Sequence, residues 1–294
     1  MADIVAITDP RLSAQVSALG AELVSLQDRD GSDLLWDGDP AFWTGRSPLL
    51  FPIVGEAKDN RITVAGAQYQ IERHGFARTS RFALISSGAA RCTWRLEASE
   101  ATRRHYPFEF RLDVTYAIEG GALHMTAEVT NRGYGVMPAS FGFHPALRWP
   151  LPYGKPRAAH EIVFERDEPA PIRRPVDGLL SLAGHPTPVR NRVLALHDKL
   201  FEDGALVFDA LASRSLVYGE ALRVSFPRMP HLGIWTKPGA GFVCIEPWQG
   251  HASPEGFDGE LADKPGMVTI MPGATESFGM SIGLIDSPQR GGER

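Results

Sequence analysis

Over 108–118 the chain alternates strictly: Phe108, Phe110, Leu112, Val114, Tyr116 and Ile118 are apolar, and the residues between them are nearly all polar. A period of two puts all the apolar side chains on one face of a strand, so one side must be buried and the other wetted. Gly120-Gly121 follows, a pair that accepts the positive φ of a two-residue hairpin turn. The chain then returns with Leu123, Met125, Ala127 and Val129 on one face and His124, Thr126, Glu128 and Thr130 on the other. Further strands are predicted at 62–64, 68–71, 82–86, 92–98, 205–208, 216–218, 222–226, 233–236, 242–246, 267–271 and 277–285. Helical periodicity is confined to 99–106. Strands broken by 30 glycines and 23 prolines predict an all-β fold, a large antiparallel β-sandwich.

No Gly/Ser linker or repeat divides the 294 residues, so a single domain over 1–294 is expected. The proline-rich stretch 151–188 reads as an elaborated loop, because strands of the same character resume after it. The polar, glycine-rich end 287–294 reads as a frayed tail. A net charge of −5 argues against a nucleic-acid partner, which needs a basic face. No apolar run approaches the roughly 20 residues that cross a bilayer. The N-terminus lacks the basic and apolar regions of a signal peptide. Two cysteines, Cys92 and Cys244, lie in apolar runs and are expected to be free thiols in a cytoplasmic protein.

Chemistry concentrates in three stretches far apart in the chain: His74-Gly75-Phe76-Ala77-Arg78, Phe141-Gly142-Phe143-His144-Pro145 and Cys244-Ile245-Glu246-Pro247-Trp248. Each sets one proton-handling side chain among aromatic residues and glycine or proline. Rings suit the CH faces of a sugar, and an acid and a base suit its hydroxyls. His144, framed in sequence by Phe141, Phe143, Pro145 and Trp149, is a natural general acid or base near neutral pH. Glu246, just past an apolar run, is costly to bury without a partner or a task. Each also has a structural alternative: a core histidine for His144, a turn histidine packed on Phe76 for His74, an arginine ion pair for Glu246. The polar loop 250–259 reads as a surface loop held by its own side chains, with His251 and Asp258 as lesser substrate candidates.

None of the nine histidines falls in a local metal-ligand spacing. Nucleophile-elbow, phosphate-loop and dinucleotide motifs are missing from the sequence. The expectation is proton transfer with no metal and no cofactor.

These segments, with Pro48-Leu49-Leu50-Phe51-Pro52-Ile53-Val54-Gly55 and Pro254-Glu255-Gly256-Phe257-Asp258, resemble the aldose 1-epimerase (galactose mutarotase-like) family, and in particular its LacX-like branch. The resemblance runs over most of the chain. It implies a large antiparallel β-sandwich and interconversion of the α and β anomers of a free hexose. Carried over, Glu246 is the base that takes the C1 hydroxyl proton, and His144 the acid that protonates the ring oxygen. His74 is a supporting donor to the sugar, and Trp248 a binding surface. The family's hydroxyl-gripping aspartate aligns with Gly204 here, with Asp203 one residue earlier. Relatives carry an arginine where this chain has Glu56. The sugar-contacting arginine is matched by Arg61, with Lys58 and Arg46 as rivals. Two other readings remain: a non-catalytic carbohydrate-binding protein of the same fold, and an epimerase of hexose 6-phosphates. The latter needs a basic cluster at the pocket, drawn from Arg46, Lys58, Arg61 and Arg78.

Overall fold

The computed structural model describes residues 3–285, so the expected tail at 287–294 lies outside the described residues. The alternating segment forms the strand Phe110–Glu119, paired with Ala122–Asn131 from Glu119 opposite Ala122 to Phe110 opposite Asn131. Gly120 and Gly121 make the turn at φ 60° and 75°. Phe110, Leu112, Val114, Tyr116, Leu123, Met125, Ala127 and Val129 are buried, the larger ones contributing about 1.5–3 kcal/mol each.

This hairpin lies within a nine-stranded antiparallel sheet. Its order is Val193–Ala195, Glu161–Phe164, Ser215–Tyr218, Leu222–Ser225, Thr275–Leu284, Ala122–Asn131, Phe110–Glu119, Arg91–Glu97 and Ala83–Ser87. A second sheet orders Leu206–Phe208, His231–Trp235, Phe242–Gln249, Phe141–Phe143 and Leu49–Leu50, with Ala146–Arg148 also paired to Phe242–Gln249. The sheets face each other across the core. Phe141 stacks on Phe278 with ring centroids 5.3 Å apart, and Phe164 meets Phe208 at 5.4 Å. The molecule is the large antiparallel β-sandwich that the alternation predicts.

Three differences from the sequence reading have physical causes. A three-stranded sheet of Ile4–Thr8, Leu12–Ser17 and Leu23–Asp28 was not predicted. Its alternation rests partly on Ala14 with Ser13, Gln15 and Ser17, which are weak β-formers. The helix shrinks to Glu100–Arg103, closed at its start by a Ser99–Thr102 capping box. Pro107 disfavours helical geometry at the residue before it. The stretch 151–188 is more ordered than an elaborated loop. It supplies Glu161–Phe164 to the large sheet and a small hairpin, Pro175–Val176 with Leu179–Leu180. Among the described residues, no helix is long and apolar enough to cross a membrane.

Candidate active site

The strand Phe242–Gln249 carries two buried faces. Val243 and Ile245 enter the main core, while Phe242, Cys244, Glu246 and Trp248 point the other way. The register pairs Gly142 with Trp248 and Ala146 with Cys244, which sets His144 directly across from Glu246. Cross-strand neighbours touch, and here His144 Nε2 lies 3.1 Å from Glu246 Oε2. The glycine before Phe143 has a specific reason. A Cβ at Gly142 would come within 2.6 Å of the Trp248 ring, and one at Gly233 within 2.3 Å. The indole therefore lies flat across both neighbouring strands.

The aromatic frame of His144 differs from the one adjacent in sequence. Period two sends Phe141 and Phe143 into the core, where they pack on each other at 5.0 Å. Trp149 sits under Arg157 instead. The rings beside His144 are Trp43, with centroids 4.9 Å apart, and Trp235 at 6.1 Å.

His74 occupies a positive φ of 68°. Its backbone N–H donates to Gly55 O at 2.8 Å and its carbonyl accepts from Phe51 N at 3.2 Å. The Gly55 N–H donates to His74 Nδ1 at 3.0 Å. A backbone N–H can only donate, so Nδ1 is the acceptor and the neutral ring carries its proton on Nε2. The ring stands edge-on to His144, 5.9 Å away. Phe76 turns elsewhere, toward Phe51 and Phe110.

His74, His144, Glu246, Trp248, Trp43 and Trp235 all line one cavity of about 530 Å³. Burial pushes the Glu246 carboxyl up to about 8, against the pull of Arg73 and Trp248. Burial pushes the His144 imidazole down to about 3, with Arg73 and Arg78 acting in the same sense. His74 is held well below its ordinary range by burial first and by His144 second. Near neutral pH the His144–Glu246 pair therefore has no net charge and one proton to share across its contact. The Trp248 Nε1–H makes no hydrogen bond within normal geometry, nor does His144 Nδ1. Buried polar atoms left open at a cavity suit a polar ligand.

Arg61 does not reach this cavity. It lies on the two-stranded sheet of Arg61–Val64 and Ala67–Gln70, pairs with Asp59 at 3.1 Å, and lines a separate 220 Å³ cavity together with Lys58. Arg46 is spent on the carbonyls of Asp37 and Val24, at 2.9 and 3.0 Å. Asp203 is exposed and off the cavity wall, whereas Gly204 and Ala205 are on it. Glu56 packs against Gly178 at the tip of the small hairpin. His251 is not a surface residue: it is buried and lines the cavity, while Asp258 is exposed on the smaller one. The loop is held from outside itself, by Leu180 N–H to Ser253 O and Ser253 N–H to Glu56 O.

Sequence reasoning missed Trp43, Trp235, Arg73 and the hairpin residues Leu179 and Leu180, all of which line the cavity. Arg73 adjoins His74, and Trp43 stands near Gly45 in the same aromatic-plus-glycine pattern as the three motifs. Those two were within reach. Among the described residues the Arg73 and Arg78 side chains make no hydrogen bond or close ion pair; both line the cavity, with Glu72 and Glu22 acting on Arg78 electrostatically at longer range.

The family profile described as aldose 1-epimerase matches residues 3–260. The chromosomal LacX protein of Lactococcus lactis subsp. lactis is 31% identical over 293 residues, covering 94% of this chain and 97% of that protein. A galactose mutarotase related enzyme from Lactobacillus acidophilus superposes with a TM-score of 0.88 at 29% identity, covering 97% and 98% of the two chains. A galactose mutarotase-like protein from Lactobacillus casei gives 0.87 at 25% identity, covering 96% and 100%. With the fold, the motif order and these matches in agreement, the chain belongs to the aldose 1-epimerase family, in its LacX-like branch.

Proposed function

We propose that this protein is a cofactor-free aldose 1-epimerase acting on a free hexose. The observation that carries the reading is the buried cross-strand pair, His144 Nε2 at 3.1 Å from Glu246 Oε2, at the wall of a sugar-sized cavity. The ring oxygen and the anomeric hydroxyl share one carbon, so a single sugar centre reaches both members of the pair. Glu246 as carboxylate takes the C1 hydroxyl proton while His144 as imidazolium protonates the ring oxygen, and the C1–O5 bond opens. Rotation about C1–C2 and reclosure with the roles reversed gives the other anomer. The resting pair holds that one proton on Glu246, and passing it across the 3.1 Å contact to His144 gives the carboxylate and imidazolium this exchange needs. His74, neutral with its proton on Nε2, donates to the opening ring. Trp43, Trp235 and Trp248 offer apolar faces to the sugar's CH groups. A positioned acid and base contribute about 10²–10⁴-fold each, and holding the sugar between them adds the orientation effect.

Polarimetry of fresh α-D-galactose or α-D-glucose tests this. Wild type speeds equilibration, while Glu246→Gln and His144→Asn each lose about 10²-fold or more of the acceleration. Unchanged acceleration in both variants would refute the assigned roles. Sugar binding without acceleration in wild type would favour the binding-protein reading.

A second reading has its own support. The unpaired Arg73 and Arg78 suit an anionic sugar, as a hexose 6-phosphate. A Salmonella typhimurium protein whose name assigns it only provisionally as a glucose-6-phosphate 1-epimerase is 26% identical over 152 residues, covering 48% of this chain and 47% of that protein. A higher kcat/KM for glucose 6-phosphate than for glucose, lost in Arg78→Ala, would select it. Two free, buried cysteines support a cytoplasmic setting. A continuous core shared by both large sheets supports one domain.

A further inference from the structure

The sequence shows no metal-ligand spacing, yet folding brings three ligand types together. His144 and Glu246 face each other across the strand pair, and Cys244 lies two residues before Glu246 on the same face. Their ligand atoms all lie within 4.8 Å of one another. A zinc ion with bonds of about 2.0–2.3 Å in tetrahedral array needs its ligands about 3.3–3.7 Å apart. Side-chain adjustments of about 1 Å close that gap. One nitrogen, one sulfur and one carboxylate oxygen form a borderline-soft set, suited to Zn²⁺ and poor for Mg²⁺ or Ca²⁺, which prefer oxygen alone. His144 and Glu246 line the cavity, and Cys244 lies fully buried behind them.

We propose that His144, Cys244 and Glu246 form an inhibitory site for thiophilic divalent cations, with Zn²⁺ as the type. Binding releases two protons, one from the Cys244 thiol and one from the His144–Glu246 pair. The metal then occupies the nitrogen and oxygen that the epimerase reaction uses, so turnover stops. A resident structural zinc would have its histidine fixed through the second ring nitrogen. His144 Nδ1 has no such partner. Occupancy is therefore reversible.

The inhibition rests on the epimerase reading, but the metal site does not, and Co²⁺ separates them. Co²⁺ added to the substrate-free protein gives a thiolate-to-cobalt charge-transfer band, present in wild type and Cys92→Ser and absent in Cys244→Ser. In polarimetry Zn²⁺ slows equilibration, EDTA restores it, and Cys244→Ser or Cys244→Ala raises the half-inhibiting Zn²⁺ concentration at least about tenfold. Mg²⁺ has no effect. A missing band in folded wild type, or a band surviving Cys244→Ser, overturns the site. Zn²⁺ sensitivity unchanged by both Cys244 substitutions overturns the inhibitory role.

Discussion

His74 contributes one hydrogen, and its neighbour decides which. Because the Gly55 N–H occupies Nδ1, the ring offers Nε2–H to the cavity. His74→Phe removes that donor and is expected to cost about 10²-fold in kcat/KM, the scale of a lost donor to developing charge. It also leaves the Gly55 N–H unpaired, at about 1–3 kcal/mol of stability, so polarimetric kinetics and urea unfolding, read side by side, should show both effects in one variant. The His144–Glu246 pair sets the pH range. Its upper member sits at about 8 and its lower at about 3, so the pair keeps one shared proton between those limits. Above about 8 that proton is lost, and on the proposed mechanism no acid then remains for the ring oxygen. The kcat/KM profile should therefore fall on its alkaline side near 8, and a flat profile up to pH 10 would contradict the shared-proton pair.

At the scale of elements, the site is a property of strand register. Trp248 lies across Gly142 and Gly233 because neither has a side chain. Gly142→Ala places a methyl 2.6 Å from Trp248 and 3.0 Å from Leu50, with little room to yield. Overpacking of this kind costs about 1–3 kcal/mol, and the displaced indole should weaken sugar binding as well. Titration calorimetry beside denaturant unfolding would register the two losses together. The motif Phe-Gly-Phe-His was legible as a strand end with a candidate acid. The reason for its glycine was not, because Trp248 lies far away in sequence. The small hairpin Pro175–Val176 and Leu179–Leu180 was hidden for a related reason. Its residues show little alternation, and they are ordered by docking on Ser253 and Glu255 through Leu180.

Across the whole molecule, buried ionisable groups tie stability to pH. Lys264 is buried with its Nζ on the carbonyl of His251, and burial lowers it from 10.5 to about 7. Above about 7 the unfolded chain holds this proton while the folded chain releases it, so this contribution to stability rises with pH. Glu246 acts oppositely: raised from 4.5 to about 8, it holds its proton in the folded chain, and its contribution falls across that window. Between pH 7 and 9 wild type should gain stability relative to Lys264→Met, read as a wild-type urea midpoint that rises relative to the variant's. A constant difference would show that Lys264 does not titrate there.

Local sequence determined the sheet class, the central hairpin and its turn, and three of the candidate site residues that the fold brings to one cavity: His74, His144 and Glu246. Alternation, turn chemistry and an acid beside aromatic rings are all properties of adjacent residues, so they can be read from neighbours alone. Tertiary structure decided who meets whom. It replaced Phe141, Phe143 and Trp149 with Trp43 and Trp235 around His144, put Arg73 and Arg78 rather than Arg61 at the cavity, and gathered Cys244 with His144 and Glu246. Those partnerships follow from register between strands about a hundred residues apart and from which sheet face each side chain takes. Both are fixed only when the two sheets close over their shared core.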